Sequence, residues 1–422
     1  MTLFTPTTRR CTRWFAPLLA ATFSLTAVAA GAAETVKIGF IDVLSGPFAQ
    51  AGEGSLKQLR EVVLQLNSKA APGDPKFEVV PFDGKGSPQE SVSALKAATD
   101  QGIRYVTQGG GSGVAFALSD AVTKLSEREP DKATLFLNYS AMDPGLTNDR
   151  CSFWHFRFYP SSEMKIEALT TWMVKKPEIK KVFLLNQNYT HGQQVSKASK
   201  EYLARKRPDI QIVGDDFVPI ATIRDFAPFV AKIRASGADT VITSNWGSDL
   251  SLLFKAARDS GLDINFYTMN ANNPSIPTAL GNWGAEKVGV IWNWGHNAPT
   301  PELEKIYVAY KQKTGEDFIF AAHWNSMNML ATAIRQAKTT DAKKVAFALE
   351  GMKYKSPVGE IDMRKTDHQL QAPLFLGIWA KQGSKGVKFD AENTGYGFRS
   401  EAVWDSYISS QPTSCQMKRP AA

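Results

Sequence analysis

The feature that most constrains this chain is a strand-then-helix rhythm that runs through once and then starts again. The first run opens with the β-rich segment 36–41, a turn at Ser45-Gly46-Pro47, and residues 54–66, where Leu56, Leu59, Val62, Val63 and Leu66 recur at helical spacing. A strand at 77–82, a helix at 88–100, a strand leading into Gly109-Gly110-Gly111-Ser112-Gly113, a helix at 114–125 and a strand at 134–138 follow. The second run starts at Ser161-Ser162. It predicts helices at 164–174, 192–205, 225–235 and 249–259, alternating with strands at 181–186, 211–217, 240–243 and 266–269. Such alternation demands parallel sheets covered on both faces, because a parallel crossover needs a helix to return the chain. Two runs of similar length predict two doubly wound α/β lobes. The last third offers helices at 301–314, 324–337 and 341–349 and strands at 359–363 and 374–380. These are too few for a third domain, so they are expected to complete the first two lobes. The chain then crosses between lobes more than once, making a hinge around a cleft.

The N-terminus speaks to compartment. Arg9, Arg10 and Arg13 precede an uncharged apolar run, 14–30, and small residues lead up to Glu34. That layout is a secretory signal peptide over 1–33, the alternative being an uncleaved anchor. The Arg9-Arg10 pair leaves open whether export is general or twin-arginine. The rest, roughly 390 residues, exceeds one hydrophobic core. A formal net charge of +8 is spread along the chain, with only small clusters such as Lys175-Lys176 and Lys180-Lys181. Nucleic-acid binding would call for a basic stripe with interleaved aromatics, which is not present. Beyond Cys11 in the leader, only Cys151 and Cys415 remain. An even pair in an oxidising compartment predicts one disulfide, tying the C-terminal tail to the middle of the chain.

Catalytic constellations are poorly supplied. His155, His191, His296, His323 and His368 are dispersed, with no metal-ligand spacing, and no Gly-x-Ser-x-Gly elbow occurs. Asp215-Asp216 fall on a strand, where neighbours point to opposite faces. Neither a metal nor a cofactor is expected. The glycine-rich loop before the helix at 114 is the best anion seat, since glycines admit close approach and helix-start N–H groups favour negative charge. A tight turn without a ligand is the competing reading. His191 follows Tyr189-Thr190 in a strand-to-helix loop, where it is either a binding group or a solvent-exposed one. Trp246, just after the strand at 240–243, is the aromatic best placed to stack on a ligand. Trp292, Trp294 and Phe320 read as packing.

Several segments together resemble the Leu/Ile/Val-binding proteins of ABC importers: 36–39 with Leu44-Ser45-Gly46-Pro47-Phe48-Ala49-Gln50, then 105–119, 138–144, 186–192 and 246–262. Their shared order over nearly the whole mature chain carries the resemblance. It implies the type I periplasmic-binding fold, with a three-segment hinge and closure around ligand. It places Ser112 at the ligand carboxylate. Ser140 matches a small-residue position, and Met142 falls where the family has a hydroxyl. Tyr189 and Trp246 match cleft aromatics, although Thr190-His191 are inserted before Gly192. Asn270 stands where the family's acidic residue receives an amino group, and Ala51 where an aromatic follows the N-terminal Gln. A carboxylate bonds an ammonium more strongly than an amide does. The expected ligand is therefore a carboxylate, either a branched-chain amino acid or a related organic or aromatic acid.

The expected organisation is lobe 1 from 34–157 and 296–358, and lobe 2 from 158–295 and 359–422. The expected role is a monomeric, non-enzymatic periplasmic receptor serving an ABC-type inner-membrane permease. A ligand-sensing module feeding a signalling partner is the alternative on the same fold.

Overall fold

The computed structural model describes residues 1–8, 35–297 and 300–421; the leader expected at 1–33 lies outside them from residue 9 onward. The first run gives β1 (Thr35–Asp42), α1 (Ala49–Ser68), β2 (Lys76–Asp83), α2 (Pro88–Asp100), β3 (Tyr105–Gln108), α3 (Ser112–Arg128), β4 (Leu135–Asn138) and β5 (His155–Arg157). The second gives α4 (Ser162–Met173), β6 (Lys181–Gln187), α5 (Thr190–Lys206), β7 (Gln211–Val218), α6 (Ala227–Ala235), β8 (Thr240–Thr243), α7 (Gly247–Asp259), β9 (Asn265–Thr268), α8 (Ile276–Leu280) and β10 (Val288–Trp292). The last third supplies α9 (Pro301–Thr314), α10 (Ala321–Ala337), α11 (Ala342–Leu349), β11 (Lys353–Ser356), β12 (Gly359–Met363), β13 (Leu370–Gln371), β14 (Leu374–Lys381) and β15 (Tyr396–Trp404). Local signals fix several of these boundaries. Ser87, Ser161 and Asp341 each cap a helix by accepting a backbone N–H with the side chain. β3, β4, β8 and β10 are buried along their whole length, as strands covered on both faces must be.

The first sheet has the order β2-β1-β3-β4-β5, all parallel. The second repeats that plan as β7-β6-β8-β9-β10 and then adds β14 and β15 antiparallel. Each sheet therefore has a switch point, between β1 and β3 and between β6 and β8, where neighbouring connections leave in opposite directions. Ligands of open α/β sheets collect outside such points, at the carboxyl ends of the strands.

The three late strands β11, β12 and β13 form their own small sheet, and Arg157 on β5 bridges to Gln369 beside it. The expected division gave all of 359–422 to the second lobe. Hydrogen bonding assigns only β14 and β15 to the second sheet. Beyond Trp404 the tail turns back, with Thr413 bonding the Thr147 carbonyl, Arg419 pairing with Glu350, and Cys415 joined to Cys151. The difference arises because a short strand's own pattern does not name its pairing partner. The buried Arg157 guanidinium helps hold this junction, donating to the Asp143 carbonyl and Thr147 Oγ1, each at 2.5 Å, and to Gln369.

Candidate functional site between the two sheets

Every strand end at the two switch points delivers a side chain to one cavity. β1 ends in Asp42, β3 runs into the glycine loop and Ser112, and β4 leads to Ser140 and Met142. From the second sheet, β6 leads to Tyr189 and His191, β8 to Trp246 and β9 to Asn270. All of these residues line one cavity of about 50 Å³, together with Ala51, Tyr139, Asn273 and Phe320. The six residues expected from sequence, Ser112, Ser140, Met142, Tyr189, Trp246 and Asn270, are thus brought together. Space of that size holds only a few waters. An organic solute can enter only if the two walls part.

The first-sheet wall holds a buried carboxylate that the sequence reading did not include. Asp42 Oδ2 accepts from the N–H of Gly109 at 2.9 Å, of Gly110 at 3.1 Å and from the Tyr139 hydroxyl at 2.6 Å. Its Oδ1 accepts from Val43 N–H at 2.7 Å. Burial raises the Asp42 carboxyl above its ordinary pKa, and these four donors oppose that shift. The first two N–H groups of the glycine loop are therefore taken by Asp42. A β-carbon on Gly110 would sit 2.2 Å from Asp42 Oδ1, so the glycine is needed for the protein's own carboxylate. What remains for an anion is the start of α3. Ser112 is buried there, and its Oγ accepts from Asp143 N–H at 3.3 Å, which leaves the hydroxyl proton to donate.

Ser140 and Ala141 are held by the Asn138 side chain, whose Oδ1 accepts both N–H groups at 3.1 and 2.8 Å. The Met142 carbonyl accepts from Ser162 N–H and Oγ, so the thioether adds an apolar surface to a firmly fixed turn.

The opposite wall is aromatic and neutral. Trp246 donates its indole N–H to the Tyr189 hydroxyl at 3.0 Å and stacks on Phe48 with ring centroids 4.1 Å apart. Phe48 belongs to the loop before α1, so this pair joins the two sheets across the cleft. Ala51 itself lines the cavity, as the small residue read from sequence. Asn270 turns both amide hydrogens inward, to the carbonyls of Ser244 at 3.0 Å and Asn245 at 3.3 Å. Only its oxygen is left for a guest.

His191 is the least expected member. It is 1 % exposed, in the first turn of α5, and neither ring nitrogen has a hydrogen-bond partner among the described residues. Burial, helped by the nearby Lys165 ammonium, lowers its pKa to about 3, so the ring is neutral. Lys165 is itself fully buried, donating to the Met269 carbonyl at 2.8 Å and Tyr159 Oη at 3.1 Å, and burial holds its pKa well below the usual lysine range. Among the described residues, no lysine or arginine lines the cavity. Trp292 and Trp294 are core residues, as read from sequence, whereas Phe320 reaches the cavity wall. Among the described residues, no cluster of His, Cys, Asp or Glu could hold a metal ion, and no helix is long and apolar enough to cross a membrane.

Comparison with known proteins places this architecture. Residues 35–384 match a family model described as periplasmic binding protein. The chain belongs to that family. This periplasmic binding protein is 31% identical over 414 residues to the Leu/Ile/Val-binding protein homolog 4 of Brucella abortus, covering 95% of this chain and 97% of that one. It is similar to the closed conformation of the leucine-, isoleucine-, valine-, threonine-, and alanine-binding protein from Brucella ovis, with a TM-score of 0.80 and 29% identity over 92% of this chain and 100% of that one. A solute binding protein of an ABC transporter from Rhodopseudomonas palustris, in complex with 3,4-dihydroxy benzoic acid, shares the fold at a TM-score of 0.75 and 19% identity, covering 88% of this chain and 98% of that one. The relatives and neighbours of this periplasmic binding protein are solute-binding proteins, and its fold is the type I arrangement of two parallel-sheet lobes.

Proposed function

We propose that this chain is an exported, monomeric receptor that closes two lobes around a small carboxylate-bearing solute and hands it to an ABC-type inner-membrane permease, with no turnover of its own. The first lobe is built on β1–β5 with α10, α11, the small sheet and the tail. The second lobe is built on β6–β10 with β14 and β15. The observation that carries this reading is the convergence of strand ends from both sheets on one cavity, with Ser112 at a helix start and His191 unpartnered opposite. A carboxylate finds donors in the Ser112 hydroxyl and the helix start. Tyr189, Trp246 and Met142 give its body apolar contact, and His191 and the Asn270 oxygen meet a hydroxyl or other neutral polar group. This favours an organic or aromatic acid.

One observation supports the second reading, a branched-chain amino acid. The cavity does contain a carboxylate, Asp42, whose Oδ1 accepts from only one N–H, and an ammonium could be drawn to it. The names of the Brucella relatives point the same way, whereas the dihydroxybenzoate complex points to aromatic acids.

A thermal-shift screen of purified protein separates the two. Saturating ligand at a hundred times its Kd stabilises by about 2.7 kcal/mol. Stabilisation by benzoates and branched aliphatic acids, with leucine, isoleucine and valine inert, is expected. The reverse result assigns the site to amino acids. Ser112→Ala should weaken the best ligand by about 1–3 kcal/mol, and unchanged affinity removes Ser112 from the site. Loss of uptake of that ligand on deleting the gene separates transport from sensing.

A further inference from the structure

A second cavity, of about 300 Å³, lies on the far side of α1 from the first. At 100° per residue, Gln50, Glu53, Gly54 and Lys57 share one face of the helix, while Ala51 and Gly52 lie on another. The first group lines the second cavity and the second group lines the first. The loop after β9 is divided in the same way, with Asn270 and Asn273 on one side and Asn272 and Pro274 on the other. A β-carbon on Gly54 would lie 3.4 Å from Pro274 Cγ, so helix and loop meet as a partition.

The second chamber contains buried polar atoms that no described residue bonds. His296 is 3 % exposed and Asn272 6 % exposed, and both line it. Among the described residues, His296 Nδ1, His296 Nε2 and Asn272 Oδ1 have no hydrogen-bond partner. Buried polar groups are almost always satisfied, so three together in a roomy cavity indicate a missing partner. The ring of His296 is fixed by stacking on Tyr307, centroids 5.0 Å apart, and by an edge contact with Trp292. Burial lowers its pKa to about 4, so it offers one donor and one acceptor. The three atoms therefore call for two donors and one acceptor.

Charge narrows the guest further. Among the described residues, Glu53, Glu316, Asp317 and Glu392 line the chamber against Lys57 alone. Lys57 is paired with Glu316, Lys311 with Asp317, and Glu392 accepts from Ser275 and Thr278. The surroundings are acidic, which disfavours an anion, and a carboxylate has no donor to give. A primary carboxamide has two N–H donors and one carbonyl acceptor. Trp292 and Phe398 supply the apolar walls for a flat body.

We propose that this chamber is a second binding site, taking a small neutral carboxamide with an apolar or aromatic body. The site stands apart from the one between the strand ends and does not depend on which acid fills that one. The test is calorimetric titration of the protein with benzamide, using benzoate as the control of equal shape. Benzamide should bind wild type and Ser112→Ala alike, and its affinity should fall at least about tenfold in His296→Leu and in Asn272→Leu, the loss expected when a polar site meets no partner. Crystals of the wild-type protein soaked in benzamide should show it between Trp292 and Asn272, a readout that needs no variant to fold. The proposal is overturned by any of four results: no binding detected up to about 10 mM benzamide, a range that reaches millimolar Kd; equal affinity in His296→Leu; loss of binding in Ser112→Ala; or water alone in the soaked chamber. Benzoate binding that depends on His296 would equally exclude a neutral guest.

Discussion

Removing the aromatic contact that spans the cleft should weaken ligand binding without weakening either lobe. Phe48 comes from the first-sheet side and Trp246 from the second, and their rings stack at 4.1 Å with an interplanar angle of 25°. Close seating is possible because residue 247 is glycine: a β-carbon there would fall 2.4 Å from the Phe48 ring. An offset aromatic pair contributes about 0.5–1.5 kcal/mol beyond its buried area. Adding the apolar surface that Phe48 covers only when the walls meet raises the cost of Phe48→Ala to about 1–2 kcal/mol. At 1.4 kcal/mol per decade that is about a 5- to 30-fold rise in Kd, carried mostly by faster dissociation. Stopped-flow and calorimetric titration with the best ligand from the screen would measure it. Phe48→Leu should fall between wild type and Phe48→Ala, and the Phe48→Ala/Trp246→Ala pair should be less than additive. Unchanged affinity in Phe48→Ala would refute the idea that this pair holds the cleft shut. A fall in the ligand-free melting temperature as large as that of the complex would refute it too, because the pair would then be supporting a lobe.

Three further outcomes follow from the same packing. His191, His296 and His323 are buried and neutral, with pKa values of about 3, 4 and 3, below the ordinary 6.5; the unfolded chain therefore binds more protons below that pH, and each should cost about 1.4 kcal/mol of stability per pH unit on acidification until its folded pKa is reached. Denaturant titrations from pH 7 to pH 4.5 would show this, and flat stability would contradict neutral burial. Gly192→Ala places a β-carbon 1.9 Å from the Gln187 carbonyl; it should cost about 1–3 kcal/mol of stability and weaken ligand binding, by moving the turn that carries Tyr189 and His191. Cys151→Ser with Cys415→Ser opens a loop of 264 residues in sequence separation and should destabilise by up to about 5 kcal/mol in urea melts, with ligand affinity unchanged.

Much of this fold was legible because parallel α/β structure writes its period plainly. The strand at 240–243 and the helix at 301–314 have the bounds the pattern predicts, and Asp225, predicted as the start of its helix, lies two residues before it with its side chain accepting the Ala227 N–H. Missed elements were those whose identity depends on partners. β15 exists because β14 offers it an edge, and β10 is a short buried run that hydrophobicity alone does not distinguish from a helix segment. The site divides in the same way. Ser112, Tyr189 and Trp246 could be found because they follow strands directly. Asp42 also ends a strand, but its role rests on Gly109, Gly110 and Tyr139, which are far away in sequence. His191 reads from its sequence position as either a binding group or a solvent-exposed loop residue. No local pattern shows that the second sheet's helix would bury it without a partner.

The bond between Cys151 and Cys415 has a topological consequence. Both cysteines sit on the first-sheet side, and the chain between them leaves, builds the whole second sheet and comes home. The second sheet is therefore an excursion inside a covalent ring, closed only once residue 415 has reached Cys151. A protease that nicks one of the connecting segments leaves a single cross-linked molecule, and the two pieces separate on a gel only after reduction.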